Sequence, residues 1–335
     1  MNAKIQDRLA GKLSRIRRGD YKADDFIIAD AKDAEMGGGI SGLGFTKGPD
    51  GALIANTAAH YQSCMLEMIE SGLVDIMLTS IASSEALHAK GAFDGCDVTP
   101  AVRLNDATDI WGFRGASYRE SQAAPFRTAH PAQARMLSAL GLYAVTFYND
   151  RDTDVATLNA YRDFRQQALD VGMSHFLEVF NPAFDIDTGD SDLGSFVNDA
   201  IVRCLAGVAG EERPLFLKMQ YNGARAMAEL AAYDPGNLIV GVLGGAAGTT
   251  RDTFELVSQT ERFGGRVALF GRKIYLAEDS IELVRLMRLV VERQTGTAEA
   301  VKSYHDVLAK NGIQADRPLD DDLLVTEPVL RPEAE

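Results

Sequence analysis

The sequence predicts an α/β fold, a single eight-stranded (β/α) barrel, and three observations predict it. Eight short, nearly continuous apolar runs recur along the chain. Helix-period segments lie between most of them, and a length of 335 residues holds one such barrel with enlarged loops. The runs span residues 25–30, 73–79, 101–105, 142–148, 174–180, 215–220, 238–243 and 266–270. No Gly-x-Gly-x-x-Gly follows the first run, which argues against an open dinucleotide-binding sheet. A flexible glycine-rich loop over residues 37–44 is expected there instead, leading to a β-turn at Pro49, Asp50 and Gly51.

The remaining elements follow in order. Residues 1–20 read as a basic N-terminal helix, 21–312 as the barrel and 313–335 as an acidic, proline-rich tail, an arm or disordered segment. Two connections are long. Residues 106–130 carry Trp111, Arg114, Arg119 and Arg127, and residues 181–193 carry Asp185, Asp187, Asp190 and Asp192. Both follow strands, so both belong at the C-terminal mouth of a barrel. A helix over 250–263 opens with hydroxyl residues suited to capping and closes at Gly264 and Gly265. In the next helix Ile281, Val284, Met287 and Val291 form an apolar stripe, opposite a solvated face of Glu282, Arg285, Arg288 and Glu292.

Composition narrows the function. Lys and Arg total 34 against 48 Asp and Glu, giving a formal net charge of −14. Such a surface repels nucleic-acid backbones and anionic lipids, so the expected partner is a small anion in a locally positive pocket. No apolar run reaches the roughly 18 residues of a membrane span. Three scattered cysteines (Cys64, Cys96 and Cys204) suit a reducing cytoplasm. Fold analogy leads to the expectation of a homo-oligomer.

Polar residues at the C-terminal strand ends of a barrel face its mouth. That rule selects Asp30, Lys32, Arg103, Asn105, Tyr148, Glu178, Lys218, Gln220 and Tyr221, with Gly244, Gly245, Gly271 and Arg272 on the last two strands. Lys218 interrupts the apolar sixth run, where an unpaired ammonium is costly. Desolvation frees such an amine to attack a carbonyl and form an imine. Glu178 interrupts the fifth run in the same way and suits proton transfer beside Lys218. Arg103, Tyr148 and Gln220 are expected to contact substrate. Gly244-Gly245 and Gly271-Arg272 are expected to cradle a phosphate through backbone N–H groups and helix starts. The histidines lack metal-ligand spacing, and His175 reads as a core residue. Asp30, Asp33 and Glu35 form a carboxylate-rich turn able to hold Mg²⁺, although neither a metal nor a cofactor is called for.

In this order the features resemble the class I, Schiff-base aldolases of the barrel superfamily, which include archaeal-type fructose-bisphosphate, tagatose-bisphosphate and sulfofructose-phosphate aldolases. The resemblance covers roughly residues 25–291 and rests on Lys218, Phe176-Leu177-Glu178, Asp30-Ala31-Lys32 and Gly271-Arg272. It implies a cofactor-independent lyase in which Lys218 forms the imine and Glu178 shuttles the proton. Asp30 and Lys32 would orient substrate. Thr146 stands where tagatose-type members carry a lysine, and Phe180 where the archaeal type carries a tyrosine. The resemblance therefore implies a monophosphate or carboxylated sugar derivative rather than a bisphosphate. Two other readings stand beside it. Residues 30–35 resemble the Asp-x-Lys-x-x-Asp array of orotidine-phosphate decarboxylases, with a final glutamate and a position after the first strand. The other reading is a non-catalytic barrel that binds a sugar phosphate.

Overall fold

The computed structural model describes residues 4–47, 51–106, 111–246 and 248–334. Its eight parallel strands are β1 (Ile27–Lys32), β2 (Ile76–Thr79), β3 (Thr99–Arg103), β4 (Leu140–Thr146), β5 (Ser174–Phe180), β6 (Leu217–Met219), β7 (Gly241–Leu243) and β8 (Val267–Phe270). They pair in chain order, and β8 closes the barrel on β1 with Ile27 opposite Val267 and Asp30 opposite Phe270. The fold is the (β/α) barrel that the eight apolar runs predict.

Because successive side chains of a strand alternate, each strand feeds two separate cores. Ile27, Ala29 and Ala31 of β1 pack inside the barrel with Leu78, Ala101, Ala144, Phe176 and Phe216. Phe26 and Ile28 pack outward with Met77, Val102, Val179 and Leu217 under the helices. This alternation decides which polar residues reach the mouth.

The N-terminal end is plugged by the helix Asp7–Arg17, whose Leu9, Leu13 and Ile16 join the inner core. Asp75 anchors it. Its buried carboxylate lies 3.0 Å from Lys12 Nζ, 3.2 Å from Arg8 Nε and 2.7 Å from Arg288 Nη2. Arg288 therefore points at a buried carboxylate and does not belong to the solvated face that its helical spacing suggests.

Two further segments depart from expectation. The glycine-rich stretch forms a helix, Ala34–Gly42, broken at Gly39, followed by an antiparallel pair of Phe45–Lys47 with Leu53–Ala55. Glycine is compatible with a helix when neighbouring elements hold it, here through the Gly112 N–H donating to the Gly37 carbonyl at 2.8 Å. Pro49 and Asp50 of the expected turn lie outside the described residues. The segment 316–334 is docked on the barrel. Leu330 is fully buried, Asp322 accepts from the Thr250 N–H at 2.8 Å, and Asp252 accepts from the Thr326 N–H at 2.7 Å. An acidic composition reads as a free arm only while its partners, the N–H groups of a helix start, are out of view. Among the described residues no helix is long and apolar enough to cross a membrane.

Candidate active site

Glu178 and Lys218 are register partners on β5 and β6, and both follow inward-facing phenylalanines, Phe176 and Phe216. The alternation turns both side chains into the barrel, where Lys218 Nζ lies 2.6 Å from Glu178 Oε1. Arg103, two residues past inward Ala101 on β3, donates from Nη2 to Glu178 Oε2 at 2.6 Å and from Nε to Asp33 Oδ2 at 2.5 Å. The result is a buried chain of alternating charge, Asp33–Arg103–Glu178–Lys218. Asp106 stands at its edge, 3.6 Å from Arg103 Nη1.

Electrostatics follow from this arrangement. Burial alone would raise the Asp33 carboxyl, but the Arg103 guanidinium and then the Lys218 ammonium outweigh it and hold Asp33 below its ordinary value. Burial opposes the charge on Arg103, yet Glu178, Asp33 and Asp106 together raise it. Asp106 is pushed up to about 6 by burial, partly offset by Arg103 and reinforced by Asp33 and Glu178. A carboxyl near that value exchanges protons close to neutral pH.

The other expected site residues are placed as follows. Asp30 and Lys32 share the outward alternation of Ile28 and pair with each other, Lys32 Nζ lying 2.8 and 2.6 Å from the two Asp30 oxygens. Lys32 also lies 5.2 Å from the Tyr275 ring centroid. The pair sits under the helices, on the opposite face of β1 from Lys218, so the geometry does not let it orient substrate there. Glu35 accepts from the Ser83 hydroxyl at 3.0 Å and from that of Ser80, so residues 30–35 do not converge as one array.

Tyr148 accepts the Ala123 N–H at 2.9 Å on its hydroxyl and stacks on Phe184, which pins the two long mouth loops together. Gln220 accepts the Asn181 N–H at 2.7 Å, fixing the start of the loop after β5. Arg103 is committed to protein carboxylates, not left free for an anion.

The expected cradle is only partly open. Gly245 takes the left-handed conformation with φ 66°, and a side chain at Gly271 would meet the Ala31 carbonyl oxygen at 2.8 Å, so both turns require glycine. Behind them, the first N–H groups of the helix Thr250–Arg262 are already engaged. Thr249 N–H donates to Asp252 at 3.0 Å and Thr250 N–H to Asp322 at 2.8 Å. Lys273 pairs with Glu327 at 2.7 Å. Arg272 remains at the surface of the mouth, its charge disfavoured by partial burial and by nearby Arg119 from the loop after β3. Ala247 lies outside the described residues.

In the sequence Asp33 stands out only within the carboxylate-rich stretch 30–35, and Asp106 only as the start of a long loop. The signal for Asp33 was period two. Ala29 and Ala31 face inward, so the next inward position is 33 rather than 30 or 32. Thr146 belongs to the same layer. It is buried, continues the inward alternation of Leu142 and Ala144, and its hydroxyl has no hydrogen-bond partner among the described residues. His175 is the core residue expected, bonded to Tyr161 at 2.8 Å and lowered to about 3 by burial and Arg165.

No protein-family model matches the chain, and no curated protein matches it in sequence. Solved structures do. An archaeal fructose 1,6-bisphosphate aldolase superposes with a TM-score of 0.60 at 15% identity, covering 85% of this chain and 99% of the other. A Schiff-base-forming fructose-1,6-bisphosphate aldolase gives 0.58 at 17% identity, covering 84% and 99%. Cgl0159 from Corynebacterium glutamicum gives 0.53 at 19% identity, covering 86% and 93%. This chain therefore shares the barrel fold of the Schiff-base aldolases.

Proposed function

We propose that the chain is a class I aldolase, or a closely related lyase, that makes or breaks a C–C bond through an imine on Lys218. The observation that carries the reading is the buried Lys218–Glu178 pair at 2.6 Å, at the C-terminal end of the strands. Glu178 is placed to take the proton that the Lys218 ammonium must lose before it attacks a substrate carbonyl. The same proton returns to the carbinolamine oxygen, which leaves as water. The iminium then accepts the electron pair released when the adjacent C–C bond breaks, while a carboxylate takes the proton of the substrate hydroxyl. Asp33 and Glu178 are the candidates for that step; Asp33 lies in the cluster with Lys218, whereas Asp30, expected to orient substrate, does not. Protonation of the enamine and addition of water release the second product and restore the lysine.

The substrate class is a phosphorylated or carboxylated sugar derivative. Arg272, with Arg119 beside it, supports an anion at the mouth. The engaged helix start behind Gly245 favours one anionic group over two. The test is retro-aldol turnover across a panel of keto-sugar phosphates and keto-sugar acids. Lys218→Met should abolish turnover and leave the far-ultraviolet circular dichroism unchanged. Glu178→Gln should slow it by roughly 10²–10⁴-fold. Full activity in Lys218→Met would contradict the mechanism.

A further inference from the structure

Arg103 reaches across the mouth from β3 and ties the residue after β1 to β5. Its guanidinium bonds Asp33 beyond β1 through Nε and Glu178 on β5 through Nη2, while Nη1 donates to the Asn105 carbonyl at 3.3 Å. Only 4% of the residue is exposed. The oxygen of Glu178 that Arg103 does not hold is the one facing Lys218.

We propose that Arg103 is a positioning residue, not an anion-binding one: it fixes one oxygen of Glu178 so that the other meets the Lys218 amine, and it holds Asp33 in the same cluster. The inference rests on the imine reading of Lys218. A planar fork with five donors can serve two carboxylates at once in a set geometry, which a lysine ammonium does not reproduce. The held carboxylate then needs no reorientation as the proton passes between Glu178 and Lys218, and small misplacements at this step are costly. Among the described residues, the charged groups facing Arg103 are Asp33 and Asp106, Glu178, and Lys218 beyond Glu178; Asp30 and Glu35 adjoin Asp33.

The experiment is borohydride trapping of the full chain with dihydroxyacetone phosphate, followed by peptide mapping, as a function of pH and probe concentration. Arg103→Lys should slow maximal trapping on Lys218 by roughly 10–100-fold. The half-saturating probe concentration should change less than twofold. Asp33 shares the cluster with Lys218, so weaker pairing, which raises the proton affinity of Asp33, should move the acid limb of the rate to higher pH. If Arg103→Lys does not fold, Arg103→Gln combined with Asp33→Asn removes one charge of each sign and carries the comparison of maximal trapping and half-saturation, with Asp33→Asn alone as its reference. Unchanged trapping, or a rise in half-saturation at an unchanged maximal rate, would overturn the inference while the imine reading stands. No adduct in the wild-type protein, with dihydroxyacetone phosphate or with any of the keto-sugar phosphates and keto-sugar acids, would overturn both.

Discussion

Lys218, Glu178, Arg103 and Asp33 form one electrostatic unit: losing Glu178 strips buried Lys218 of its carboxylate, and losing Arg103 strips buried Asp33 of its guanidinium. Arg272 is different, because its exposed side chain sits at the edge of the mouth and belongs to no such chain. If it meets the substrate anion, it binds ground state and transition state alike. Arg272→Ala should then raise KM for a phosphorylated substrate about tenfold or more while leaving kcat within about twofold. Steady-state kinetics against a matched uncharged substrate checks this, and an equal fall in kcat for both would place Arg272 elsewhere. Lys218 and Glu178 were legible in the sequence because a charge inside an apolar run has to face something costly to avoid. Asp30 and Lys32 obeyed the same rule and face the helices, because apolarity on both sides of a strand hides which alternation points inward. Arg103 was legible as a residue and misread as to partner, since its carboxylates come from β5 and from beyond β1.

The N-terminal helix and the strand ends it covers depend on Asp75. Burial would raise this carboxyl, but Arg288 and then Lys12 outweigh it and hold it below its ordinary value. An Asp with a depressed folded value stabilises the fold fully above its unfolded value, near 3.9, and loses that contribution as pH falls through the folded value. Asp75→Asn should therefore cost about 3–5 kcal/mol near neutral pH, the usual range for breaking a buried ion pair. The difference from wild type should hold from about pH 7 to 5 and shrink below about pH 4. Denaturant unfolding at several pH values measures it, and a difference that grows toward acid would refute the assignment. The helix itself was legible, and so were the strands, β5 to the residue. Its anchor was not, because Asp75 and Arg288 lie far in the chain from Arg8 and Lys12 and meet them only when the barrel closes.

At the scale of the molecule, the docked C-terminal segment is part of the barrel's structure. Asp322, Thr326, Glu327 and Leu330 bond or pack against the helix after β7 and against Lys273. Deleting residues 316–335 would expose Leu330's seat and uncap the Thr250 N–H. Burial of one such side chain and one cap contributes roughly 2–4 kcal/mol together. Calorimetry should show the melting temperature falling by several degrees; an unchanged transition would mean that the segment contributes nothing to stability. The net charge of −14 also places any bound anion under repulsion from the molecule as a whole, so binding should depend on the mouth cations. The central claim is the imine. Intact mass after borohydride reduction with a panel of keto-sugar phosphates, keto-sugar acids and simple carbonyl compounds tests it most directly. The account predicts one reduced adduct per chain, mapped to Lys218 and absent from Lys218→Met. An adduct on another lysine, or none across a panel that includes dihydroxyacetone phosphate, would contradict it.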